Sequence, residues 1–169
     1  MLYAGRKEAG KNVDQLVQFF VEYKRKNSSE LKLVLIGGGQ IELPSKEIID
    51  LGFVPSQDKY DAYAAASVFC NPSRMESFSL VIMESWLLRR PVLVNCECDV
   101  TTDFVRKANG GLYYGTYKEF EKCLDYLLRH ERITEQIGKN GEKFVRENFS
   151  WDVIVRRYTE YFHKASGEI

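Results

Sequence analysis

Short apolar runs that end abruptly at a turn, each followed by a longer amphipathic stretch, constrain this chain more than any other feature. Leu31-Lys32-Leu33-Val34-Leu35-Ile36 halts at Gly37-Gly38-Gly39, and Val68-Phe69-Cys70-Asn71 halts at Pro72. Pro91-Val92-Leu93-Val94-Asn95 runs into Cys96-Glu97-Cys98, and Tyr3-Ala4 reads as the end of a first strand. Runs this short and apolar suit strands covered on both faces. Between them the spacing changes. Val13, Leu16, Phe19, Phe20 and Tyr23 recur at three- and four-residue steps, predicting a helix from an Asn12 N-cap to about Lys26. Further helices are expected over Ser45–Asp50, Gln57–Ala66 (Tyr60, Tyr63 and Ala64 on one face), from near Ser79 to Leu88, and over Asp99–Ala108. Gly52-Phe53-Val54 and Leu112-Tyr113-Tyr114 read as brief strands. The tail is helical over Tyr117–His130, Arg132–Phe149 and, after a Ser150 N-cap, Trp151–Ala165. The alternation predicts an α/β fold, a doubly wound parallel sheet of about six strands with helices on both faces.

The 169 residues suit one domain. Lys+Arg and Asp+Glu balance at 24 each, which gives no electrostatic case for nucleic acid. No apolar run approaches the roughly 20 residues a membrane span needs, and Met1–Arg6 turns polar too soon for a signal peptide. Cys70, Cys96, Cys98 and Cys123 form no Cys-x-x-Cys pair, and His130 and His163 lie far along the chain. Free thiols in a reducing cytosol are expected, and no metal site.

In parallel sheets, ligands bind beyond the carboxyl ends of the strands. Gly5-Arg6, Gly37–Gly39, Val54-Pro55, Asn71–Ser79 and Asn95–Cys98 all fall at such ends. Glu76 and Glu84 bracket the start of the helix expected near Ser79 or Leu80. That helix end presents unpaired N–H groups and roughly half a positive charge, so it attracts phosphate. Carboxylates on either side suit a sugar–diphosphate–ribose ligand. The plainer reading is two ordinary helix-forming glutamates. Arg6 and Lys11, around the first strand–helix connection, could reach a diphosphate from the opposite side, or could simply be solvated surface cations.

The Gly37–Gly39 turn, with Gly38 at its centre, would let a ligand approach the backbone. It is not a dinucleotide fingerprint, because Glu42 stands where the last glycine would be, and no Walker-type Gly-Lys-Ser/Thr follows. Phe53, Val54 and Lys59 could wall a base, although Phe53 could equally be core. Ser73, Ser77 and Ser79 could be caps or hydroxyl donors. Neither histidine sits at a strand end, so no acyl-transfer triad is suggested.

Taken in order, Gly5-Arg6 with Lys11-Asn12, Leu33–Gly39, Leu51-Gly52-Phe53-Val54 and Asn71-Pro72-Ser73 resemble the C-terminal domain of retaining glycosyltransferases of family 4, also called group 1. Glu76-Ser77-Phe78-Ser79-Leu80 with Glu84, Arg90-Pro91-Val92-Leu93 and Asn109-Gly110-Gly111 continue the series over nearly the whole chain. The resemblance implies the GT-B fold, two Rossmann-like domains with the active site between them. It implies that Arg6 and Lys11 hold the donor diphosphate and that Glu76 contacts the donor sugar. The backbone at Ser77, Phe78, Ser79 and Leu80 would line the sugar–phosphate site. Glu84 would take the ribose hydroxyls, and Val54 and Lys59 would stand near the base. The donor substrate would be a nucleoside diphosphate sugar, with no cofactor and no bound metal for the transfer.

Two departures stand out. Ser79 replaces a usual glycine, and Cys96-Glu97-Cys98-Asp99 replaces a glycine-rich turn. The resemblance also implies an N-terminal acceptor domain outside this chain, to which Trp151–Ala165 would cross back with its apolar residues partly exposed. The expected partners are the sugar nucleotide, that domain, and an acceptor saccharide or lipid-linked glycan. The expected place is the cytoplasm, peripheral to the inner membrane face through the other domain. A glycosyltransferase-like binding module without catalysis is the alternative.

Overall fold

The structure is a computed structural model and describes residues 1–167. Six strands form one sheet: β1 (Leu2–Ala4), β2 (Leu33–Ile36), β3 (Ile48–Asp50), β4 (Phe69–Asn71), β5 (Val92–Asn95) and β6 (Gly111–Tyr114). Their order is β3-β2-β1-β4-β5-β6, and every neighbouring pair is parallel. This is the Rossmann-like, doubly wound arrangement. The order reverses between β1 and β4, so the chain leaves these two neighbours in opposite directions and opens a crevice above them.

The helices are α1 (Val13–Lys26), α2 (Ser56–Ala65), α3 (Leu80–Leu87), α4 (Asp99–Ala108), α5 (Tyr117–Arg129), α6 (Glu131–Phe149) and α7 (Trp151–Ser166). They cover the sheet from both sides. Side chains alternate along the strands, so Tyr3, Leu33, Leu35, Cys70 and Leu93 pack with Leu16 and Phe20 of α1 and Leu124 of α5. Leu2, Ala4, Phe69, Val92 and Val94 pack on the other face with Tyr63, Ile82, Trp86 and Val105 from α2, α3 and α4.

Two expected elements are corrected. Residues 48–50 form β3, not a helix, pairing Ile48 with Leu33 and Asp50 with Leu35. The adjacent β-branched isoleucines suit a pleated edge better than a short helix. The strand expected at Gly52–Val54 is a loop instead. Gly52 has φ +62°, which breaks an extended run, and Phe53 is 90% exposed. Two caps also differ. Asn12 and Ser150 sit at the N-cap positions of α1 and α7, but neither side chain caps its helix. Within α2, Tyr63 is buried while Tyr60 and Ala64 face solvent, so the three do not share a packed face.

Candidate functional site

The loop after β4 is built from the carboxyl ends of two buried strands. Asn71 accepts from the Ser73 N–H at 3.1 Å and donates to Ser79 Oγ at 2.8 Å. Asn95, at the end of β5, and Asn12 both donate to the Pro72 carbonyl, at 3.3 and 3.1 Å. These amides hold residues 72–79 in a fixed arch, and the arch delivers the chain into α3 through Ser79 at φ +71°. The sequence reading placed Asn71 and Asn95 at strand ends and Asn12 at a helix cap but gave their side-chain amides no part in shaping the loop. Their signal was an amide at the last position of two otherwise apolar strands.

Between this arch and the end of β1 lies a cleft of about 260 Å³. Tyr3, Ala4, Gly5 and Lys11 form one wall, and Asn71 with residues 76–81 forms the other. Ser77, Phe78, Ser79 and Leu80 therefore stand together at the amino end of α3, the end at which a helix leaves N–H groups without intrahelical partners, although Ile82 N–H donates to the Ser79 carbonyl at 3.2 Å. Phe78 is fixed from behind, edge-on to Phe104 and Phe149 at 5.4 and 5.1 Å.

Two lysine–glutamate pairs flank the helix start. Lys11 Nζ lies 2.9 and 3.0 Å from the two oxygens of Glu76. Lys59 Nζ lies 2.6 Å from Glu84 Oε1, and the Tyr63 hydroxyl donates to Glu84 Oε2 at 3.3 Å. Burial chiefly, and then the Glu84 charge, push the Tyr63 hydroxyl well above the ordinary phenol range, so it stays a donor. Lys11 and Glu76 line the cleft, while Glu84 sits about one turn into α3 and meets Lys59 from α2.

The remaining candidates are more scattered. Arg6 is exposed and pairs with Glu8 at 3.3 Å, outside the cleft lining. Gly38 is exposed on the neighbouring loop, where its carbonyl accepts from the Lys7 N–H at 2.7 Å. Val54 is half-buried against the α2–α3 side of the core. Gly37 and Gly39 have φ +122° and +101°, and an added Cβ would strike the Gly5 carbonyl at 2.1 Å and the Lys7 carbonyl at 2.6 Å. These glycines therefore serve the packing of two loops against each other.

A larger hollow of about 680 Å³ lies at the amino ends of the strands, beside Met1, Leu31 and Ala66. It lies at the end of the sheet away from the crevice. The smaller cleft sits at the crevice, with a helix N-terminus and an ion pair converging on it. Among the described residues, no group of three or more His, Cys, Asp or Glu is placed to hold a metal ion. No helix among them is long and apolar enough to cross a membrane.

Known proteins share this architecture. The chain superimposes on sucrose-phosphate synthase from Thermosynechococcus elongatus with a TM-score of 0.80 at 20% identity, covering 99% of this chain and 45% of that one. HepE from Anabaena, in complex with UDP and glucose, gives 0.79 at 17%, covering 96% and 48%. The C-terminal domain of a group 1 glycosyl transferase from Francisella tularensis gives 0.74 at 17%, covering 89% and 86%. In sequence, the capsular polysaccharide biosynthesis glycosyltransferase CapM of Staphylococcus aureus is 25% identical over 180 residues. That match takes in 98% of this chain but 47% of CapM, so the chain spans about half the length of this relative. The family described as "Glycosyl transferases group 1" matches residues 1–144. The ordered motifs, the parallel sheet and this match agree: the chain belongs to the group 1 glycosyl transferases.

Proposed function

We propose that this chain is the donor-binding half of a glycosyltransferase that moves a glycosyl group from a nucleoside diphosphate sugar to an acceptor with retention of configuration. The observation that carries the reading is the cleft itself. Lys11, Glu76 and the amino end of α3 meet at the β1–β4 crossover. The HepE complex makes a uridine nucleotide the first donor to try.

The geometry supports the following roles. The α3 terminus and Lys11 face the diphosphate and stabilise the charge that builds up as it departs. Lys11 then exchanges one carboxylate oxygen of Glu76 for a phosphate oxygen. That frees Glu76 to accept from the donor sugar. Glu84 accepts from the ribose hydroxyls, with Lys59 and Tyr63 holding it in place. Ser77 and the backbone of Phe78, Ser79 and Leu80 form the floor. Val54 and the exposed Gly38 stand further out, toward the base. Arg6 joins by releasing Glu8. The exposed face of α7, with Trp151 82% and Tyr161 67% exposed, is where the acceptor-binding half would lie. The acceptor would be a saccharide or lipid-linked glycan.

Titration with UDP, GDP, ADP and TDP tests the reading. One of them should bind, and Lys11→Ala and Glu84→Ala should each weaken it about 10–100-fold, the worth of a charge-assisted hydrogen bond. Equal affinity in both variants, or no binding of any nucleotide at millimolar concentration, refutes the assignment.

A further inference from the structure

We propose that Lys7 and Asp50 form a positioning pair, a buried brace that sets where the loop after β1 holds Arg6 and Lys11. Its functional half rests on the donor-site reading above. The Lys7 side chain is 1% exposed, and its ammonium lies 3.1 Å from Asp50 Oδ1. It also donates to the Gly37 carbonyl. Asp50 Oδ1 accepts in turn from the Gly52 N–H at 2.9 Å. One ammonium therefore ties the loop after β1 to the ends of both β2 and β3.

Backbone bonds close the same knot. Gly5 N–H donates to Ile36 at 2.9 Å, Lys7 N–H to Gly38 at 2.7 Å, and Gly37 N–H to Gly52 at 2.7 Å. Just before Lys7, the Arg6 carbonyl accepts from the Tyr3 hydroxyl at 2.7 Å. The main chain around Arg6 is thus held on both sides, while its guanidinium stays in solvent. Neither Lys7 nor Asp50 lines the cleft, so both act through the residues they hold.

Stability alone does not call for this pair. Removing two ions from water costs several kcal/mol each, and apolar residues of similar volume often do as well. What an ion pair adds is registry, since its charges fix one loop against another where apolar groups could slide. Here the loop fixed is the one that carries Arg6 and Lys11.

The test is the double variant Lys7→Met/Asp50→Leu, which removes both charges together and leaves no orphan ion. Expected are an unfolding midpoint at or above the wild-type value, amide exchange at residues 5–12 at least tenfold faster, and UDP affinity at least tenfold weaker. Unchanged exchange overturns the brace, whatever UDP does. Faster exchange with unchanged UDP affinity overturns the positioning role and leaves the donor reading standing. A wild type that binds none of UDP, GDP, ADP and TDP removes the donor reading and that role together, while exchange still decides the brace. If the double variant does not fold, Asp50→Asn keeps the side-chain shape but leaves the Lys7 charge unpaired, so its midpoint should fall while exchange and UDP affinity are judged by the same outcomes.

Discussion

Ser79 occupies the left-handed region, where a side chain costs about 1 kcal/mol or more relative to glycine. Its hydroxyl accepts from Asn71, a bond worth about 1 kcal/mol. The two terms nearly cancel. Ser79→Gly should change stability by no more than about 1 kcal/mol, whereas Ser79→Val forfeits the bond and adds a β-branch at positive φ. Urea denaturation should place the valine variant at least about 2 kcal/mol below wild type. Ser79 was legible in the sequence as the residue where a glycine was expected. Lys7 was not. Within Gly5-Arg6-Lys7-Glu8 it reads as one surface cation among others. Its burial depends on Asp50, which only the pairing of β3 brings near. Lys11 was legible as a candidate cation beside the cleft, but its hold on Glu76 was not, because side-chain pairing across a crevice leaves no periodic trace.

Among the elements, α6 carries glycines that helix propensity alone would replace with alanine for a gain of about 1 kcal/mol. The packing reverses that sign. A Cβ at Gly141 would stand 2.2 Å from the Trp86 ring, and one at Gly138 would stand 2.0 Å from the Arg89 carbonyl. Trp86 is fully buried and donates to the Gly110 carbonyl at 2.7 Å, so it cannot step aside. Gly141→Ala should destabilise by about 1–3 kcal/mol, and Gly138→Ala by at least as much because backbone yields least. A rise in the thermal midpoint of either variant would contradict the close α3–α6 contact. The long periodic helices were readable from sequence because their apolar spacing is their packing. The β3 edge was not. Three residues give too little period to separate a strand from a turn of helix, and the partner strand decided the outcome.

For the whole molecule, several acidic protons are locked in the core. Burial pushes the Cys70 thiol up to about 12, and burial with the Asp125 hydrogen bond raises Tyr23 to about 12. Tyr3, Tyr63 and Tyr114 are pushed well above the ordinary phenol range, chiefly by burial. The unfolded chain releases these protons from about pH 9 upward while the native state keeps them, so stability falls as pH rises. The denaturation midpoint should drop steadily between about pH 9 and pH 11, with the share of tyrosinate absorbance that comes from these buried rings rising only as the chain unfolds. A flat profile would show these groups to be solvent-accessible. Family and architecture were legible at this scale because an ordered series of strand-end motifs survives where any one of them is weak. Among the described residues, β1 meets β2 over three register pairs but β4 over one, Leu2 opposite Phe69. The sheet is thus two contiguous halves joined at a narrow seam, and the cleft straddles it, with Gly5 on one side and residues 76–81 on the other. A ligand seated there works as a suture, and how tightly the two halves of the fold cohere becomes a measure of whether the site is filled.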